Sequence, residues 1–136
     1  MVPTAADFQA RGRGHLPGLL GMEVLETVPG RCRIRLEAEQ RLRAPNGYLH
    51  AGTVVALADT ACGYGCASSL PAGATGFTTL ELKCNLVGTV RAGSVVAEAR
   101  MVHGGRSTQV WDATVSDEST GRPVALFHCT QFLLRP

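Results

Sequence analysis

Residues 31–39, RCRIRLEAE, alternate without interruption: Cys32, Ile34, Leu36 and Ala38 point one way, Arg31, Arg33, Arg35, Glu37 and Glu39 the other. A period of two places one face in a core and the other in water, which predicts a β-strand. The preceding run MEVLETV joins it through Pro29-Gly30, so the two predict a hairpin. The same period returns later in the chain. FTTLELKCNL (77–86) sets Leu80, Leu82, Cys84 and Leu86 against Thr79, Glu81, Lys83 and Asn85. SVVAEARMVH (94–103), STQVWDATVS (107–116) and RPVALFHCTQFLL (122–134) follow, separated by glycine-bearing turns, and the four read as strands in a meander. Ahead of the hairpin, residues 4–11 predict a short helix with Thr4 as cap and Asp7 three positions on in a capping-box arrangement. HLPGLLG (15–21) reads as loop.

Residues 52–67 break the period. Ala, Leu, Thr and Cys dominate there, alternation is lost, and the segment predicts a helix of roughly 24 Å despite Gly63 and Gly65. Its apolar character runs almost all the way round, so other structure has to wrap it. Two strands, one buried helix and four more strands are most economically packed as an α+β fold, a curved antiparallel sheet wrapped around one long central helix. At 136 residues, the chain is expected to form a single domain over 1–136.

Composition narrows the function. Hydrophobic residues make up 45% and charged residues 18%, which suits a packed core rather than disorder. Thirteen basic against eleven acidic residues leave +2, too little for a broad basic surface, so nucleic acid is not an expected partner. Twelve of the thirteen basic residues are arginine, a bias that codon usage explains as well as phosphate binding does. No run approaches the ~18 apolar residues of a membrane span, and the amino terminus lacks a signal pattern. The five cysteines (Cys32, Cys62, Cys66, Cys84 and Cys129) read as reduced core thiols of a cytoplasmic protein.

The helix carries one charge, Asp59, whose neighbours at three and four positions are Val55, Ala56, Cys62 and Gly63. A carboxylate buried there without partners costs several kcal/mol, which makes a chemical role the better reading. At the helix start, Gly52 sits where N–H groups and the positive end of the dipole suit a polarised carbonyl. Seven residues separate Gly52 from Asp59, about 10 Å along the axis. A base and a carbonyl donor must both lie within about 3 Å of the reacting group, so one helix cannot supply both. Two antiparallel helices across a two-fold axis can, and a catalytic Asp59 therefore predicts at least a dimer with shared sites.

These residues, NGYLHAGTVVALADTACGYG (46–65), resemble the G-x-x-H-G-G…A-D-T/A segment of hotdog-fold acyl-CoA thioesterases of the PaaI, phenylacetate-pathway type. The resemblance extends to the GMEV hairpin, TTLELKCNLVGTVRAG, GGRSTQVWDATVSD and GRPVALFHCTQFLL. It implies the hotdog fold and hydrolysis of an acyl-CoA thioester, the acyl group being aryl or short to medium chain. It implies Asp59 as general base or nucleophile, His50 and Gly52 as the carbonyl-binding turn, and Thr79 as a polar neighbour of the attacking water. It implies coenzyme A lying along Gly105, Arg106 and Ser107, no bound cofactor, and a dimer of dimers. Ala51 stands at the second position of the usual His-Gly-Gly and is counted with the substrate-binding positions. The Asn or Gln that many members carry six residues before the histidine is Ala44 here, and Asn46 is the substitute at a different spacing.

Cys62 and Cys66 have the i, i+4 spacing of a metal face, but no further ligands complete a set, and no metal is expected. His15, His103 and His128 read as structural. Two other functions fit the pattern: a hotdog dehydratase or hydratase pairing His50 with Asp59, and a non-enzymatic module that binds acyl-CoA.

Overall fold

A computed structural model describes residues 1–136. Six strands form one antiparallel sheet: β1 Glu23–Val28, β2 Arg31–Glu37, β3 Gly76–Leu86, β4 Ser94–Gly104, β5 Thr108–Asp117 and β6 Pro123–Leu134. Their spatial order is β1-β2-β4-β5-β6-β3. Helix α3, Ala51–Ser68, packs across one face of this sheet and touches every strand. This is the expected α+β arrangement, one residue longer at each end of the helix than its sequence pattern predicts.

The alternation in β2 holds residue by residue. Cys32, Ile34, Leu36 and the following Ala38 are buried under α3. Arg31, Arg33 and Arg35 lie on the outer face among carboxylates: Arg31 on Glu26 at 3.2 Å and Glu98 at 3.4 Å, Arg33 on Glu98 at 3.7 Å, Arg35 on Glu118 at 2.8 Å. The arginine-rich strand is thus neutralised by its own neighbours. Trp111 of β5 occupies the middle of the core, its indole N–H donating to Gln109 Oε1 at 2.8 Å. Gln109 Nε2 in turn donates to the Ser69 carbonyl at 2.9 Å, tying β5 to the end of α3. Gly65 is the reason the helix can lie so close: a Cβ there would sit 2.6 Å from the Trp111 ring.

Two expectations are corrected. The last four strands are not a meander, because β3 pairs with β6 while β4 pairs with β2. The segment after β3 is led away by hydrogen bonds: the Leu49 N–H donates to the Val90 carbonyl at 2.8 Å and the Ala38 N–H to the Gly93 carbonyl at 2.8 Å. These anchors deliver β4 beside β2 and leave β3 at the far edge. The 15–21 loop contains a turn of helix, α2 Leu16–Leu19, because Pro17 is pre-set for an early helical position. Helix α1, Ala5–Arg11, forms as expected, with the Asp7 N–H donating to Thr4 Oγ1 and the Thr4 N–H to Asp7 Oδ2. Its Gln9 reaches the β1 edge, donating to the Met22 carbonyl at 2.9 Å and accepting from the Val24 N–H at 2.7 Å.

Candidate active site

Helix α3 is buried on most of its circumference, but Val55, Ala56, Asp59, Thr60, Tyr64 and Ala67 are only half covered. Tyr64 of this stripe stacks on Phe8 at 4.5 Å between ring centroids, whereas Asp59 lies toward β3. Asp59 meets Thr79 there, the Thr79 hydroxyl lying 3.4 Å from its Oδ1. One turn further on, the Phe77 ring closes against the helix, since a Cβ on Gly63 would stand 3.0 Å from Phe77 Cζ. Burial raises the pKa of Asp59. A carboxylate with no cation beside it, half desolvated and close to a hydroxyl, has the properties of a base held ready for a proton.

The helix start is built by a pinned loop. The His50 N–H and the Thr53 hydroxyl both donate to the Leu42 carbonyl, at 3.1 and 3.0 Å. Arg91 lies over the Tyr48 ring, 4.0 Å from its centroid, and donates to the Asn46 carbonyl at 3.3 Å. His50 is the N-cap, and its Nδ1 accepts from the Gly52 N–H at 2.8 Å. An accepting nitrogen carries no proton, so the exposed Nε2 is the ring's donor.

That cap corrects the expected role of Gly52, whose N–H is occupied rather than free. The first-turn N–H that makes no hydrogen bond within the chain is that of Ala51. Asn46 does not reach the helix start: its Oδ1 accepts from the Tyr48 N–H at 3.1 Å and shapes the turn. Gly105, Arg106 and Ser107 form the β4–β5 turn, held by the Gly105 N–H on the Thr108 carbonyl and Arg135 on the Arg106 carbonyl, at 2.9 and 2.8 Å. The Gln109–Ser69 hydrogen bond places this turn near the carboxyl end of α3, away from His50. One chain therefore brings Asp59 and Thr79 together and keeps His50, Ala51 and Gly52 apart from them along the helix.

Sequence reasoning passes over Gln131. The signal is present in the row Phe127, Cys129, Gln131, Leu133, where an amide stands on the buried face of β6. Its Oε1 lies 2.8 Å from the Thr79 hydroxyl. No group of His, Cys, Asp and Glu side chains is arranged to hold a metal ion, and Cys62 and Cys66 are free and buried.

Comparison with known proteins agrees with this architecture. The profile of the thioesterase superfamily matches residues 46–124, which spans the helix, Asp59 and β3 to β5. A 1,4-dihydroxy-2-naphthoyl-CoA hydrolase of Listeria monocytogenes is 35% identical over 111 residues, 82% of this chain and 89% of that protein. The crystal structure of a mutant of thioesterase PA1618 from Pseudomonas aeruginosa superposes with a TM-score of 0.93, at 26% identity, covering 100% of this chain and 97% of that one. The E. coli PaaI protein from the phenylacetic acid degradation operon shares the fold, with a TM-score of 0.85 at 21% identity over 96% of this chain and 91% of its own.

Proposed function

The chain belongs to the thioesterase superfamily and has the hotdog fold, and from that premise we propose that it hydrolyses an acyl-CoA through Asp59 at a site shared between two copies. The observation that carries this reading is the lone, half-buried Asp59 beside Thr79 on the open stripe of α3. Ala51 and Asp59 are eight residues apart, about 12 Å along one helix, too far to act together on one carbonyl. In an antiparallel dimer, Asp59 of one copy meets the helix start of the other.

The thioester carbonyl oxygen accepts from the free Ala51 N–H at the positive helix end, with the His50 Nε2–H beside it. Gly52 keeps the turn narrow enough for the imidazole, since a Cβ there would lie 3.0 Å from His50 Nδ1. Asp59 takes a proton from water as the oxygen attacks the carbonyl carbon. The tetrahedral adduct then expels the CoA thiolate, which receives that proton. Attack by Asp59 itself, through a mixed anhydride that water opens, uses the same groups. In this reading Arg106, whose side chain has no ion pair within the chain, meets a CoA phosphate, with Gly105 and Ser107 lining the turn. The Phe77 ring one turn from Asp59 and the name of the Listeria relative both favour an aromatic acyl group. A dimer of dimers completes the assembly, and the five free thiols suit the reducing cytoplasm.

Release of free thiol from aryl- and straight-chain acyl-CoAs tests this reading. The wild type hydrolyses at least one aryl-CoA, and Asp59→Asn, still folded, loses more than about a hundredfold in kcat. No hydrolysis across the panel, or equal rates in the variant, sinks it.

A further inference from the structure

Gln131 stands directly across the β3–β6 ladder from Thr79 and is fully buried. The Thr79 hydroxyl lies 2.8 Å from Gln131 Oε1 and 3.4 Å from Asp59 Oδ1. A hydroxyl has one proton to give. The shorter distance is ordinary for O–H···O, and the longer one lies beyond it. The proton therefore belongs to Gln131, and Thr79 turns lone-pair density toward Asp59. The amide's other end agrees with this orientation: Nε2 faces the Cys129 sulfur at 3.6 Å, a weak acceptor.

We propose that Gln131 is a positioning residue that holds the Thr79 proton and so makes Thr79 an acceptor beside the carboxylate. A water between Thr79 and Asp59 is then gripped by both of its hydrogens, one on each oxygen, and its lone pair is left for the thioester carbonyl. The proton on the Asp59 side moves to the carboxylate as the C–O bond forms. The other stays on the attacking oxygen. This inference rests on the proposed hydrolysis and adds the reason why a strand position of the core carries an amide.

The titratable groups next to this cluster are the thiols of Cys62 on α3 and Cys129 on β6, with Cys32 on β2 and Cys84 further along β3 lying beyond them. The Cys62 thiol is pushed up by its hydrogen bond to Cys129 and by burial, and burial carries Cys32 to about 12 and raises Cys84. No ionised side chain is among the causes acting on Asp59. Without Gln131, the Thr79 hydroxyl keeps one acceptor, the Asp59 carboxylate. It then donates there, stabilises the charged form and takes up the oxygen that the water needs.

The test is a titration of the Asp59 carboxyl carbon by NMR, run with the pH dependence of kcat, in wild type, Gln131→Met, Thr79→Val and the double variant. In Gln131→Met the Asp59 midpoint falls by about half to one pH unit. The neutral-pH kcat drops about three- to tenfold, with KM changed less than about twofold. In Thr79→Val the midpoint stays where it is in wild type, and the double variant matches Thr79→Val alone. The proposal is overturned by a midpoint that rises in Gln131→Met, by a rise in Thr79→Val, or by an equal kcat loss from Gln131→Met with and without Thr79. Should Gln131→Met fail to fold, the Thr79→Val titration decides alone, unchanged for and raised against. The titration needs no turnover, so a wild type that hydrolyses nothing defeats the functional reading and leaves this test standing.

Discussion

The two edges of the sheet are finished differently. At β1, the Gln9 side chain pairs with the Met22 carbonyl and the Val24 N–H, an amide standing in for the peptide group of a further strand. The adjoining outer face is closed by ion pairs among Glu23, Glu26, Glu98 and the arginines of β2. At β3, eleven residues run along the opposite edge with no neighbour on the outer side. Leu82 and Leu86 pair with Cys129 and Ala125 on the helix-facing side, yet they are 42% and 47% exposed. A long bare edge with uncovered leucines is what soluble chains avoid unless something covers it. Asp59, Thr79 and Phe77 all lie at this open side, so the unfinished edge and the candidate chemistry coincide.

Leu82→Lys breaks the comparison most severely. Were β3 a free edge, a lysine at a position this exposed would change stability by no more than about 0.5 kcal/mol. If a second copy covers it, the charge is forced into an apolar interface. Light scattering after size exclusion then shows a smaller species than the wild type, and thioesterase activity falls more than about tenfold because the proposed site draws on both helices. Unchanged mass and activity would mean that no second copy of this chain covers the edge.

A pair of carboxylates sharpens the contrast through pH. Asp59, raised by burial, is folded at a cost whenever it is ionised. Its favourable contribution is present below the ordinary carboxylate value of 3.8 and is lost as pH rises through the raised value. Asp59→Asn is therefore expected to melt above wild type at neutral pH, the gap closing as pH falls through the raised value to the ordinary one. Glu98 is the reverse: burial opposes its charge, but Arg100 and Arg31 outweigh that and lower its pKa below 4.5. Glu98→Gln melts lower at neutral pH, and its deficit shrinks as pH falls through the lowered value. Melting curves across pH check both signs, and parallel behaviour of the two variants would contradict the contrast.

The same contrast explains what could be read from the sequence. The β2 rows, the Thr4 cap and the apolar helix are local periodicities with one residue type per face, and the structure follows them. The pattern of Leu82, Cys84 and Leu86 in β3 is legible as a face, but not its exposure, because alternation shows which side chains share a face and not whether another element lies over it. Strand order was illegible for a related reason: the Leu49–Val90 and Ala38–Gly93 hydrogen bonds that carry β4 to β2 join backbone groups far apart in sequence. Asp59 announced itself by being the lone charge in an apolar run. Gly52 looked like a free donor, and only the direction of the His50 ring showed otherwise.

The smallest effect belongs to the closed edge. Gln9→Leu keeps the size of the side chain and removes both hydrogen bonds, leaving the Met22 carbonyl and the Val24 N–H without their partner at a part-buried position. The expected cost is about 1–3 kcal/mol, the net worth of two hydrogen bonds. Solution mass and kcat stay at wild-type values, because β1 lies at the far side of the sheet from Asp59. Chemical denaturation with an unchanged m-value would report that loss. A variant that instead dissociates or loses activity would mean that the β1 edge takes part in the assembly, and that the division of labour between the two edges is not the one drawn from their hydrogen bonds.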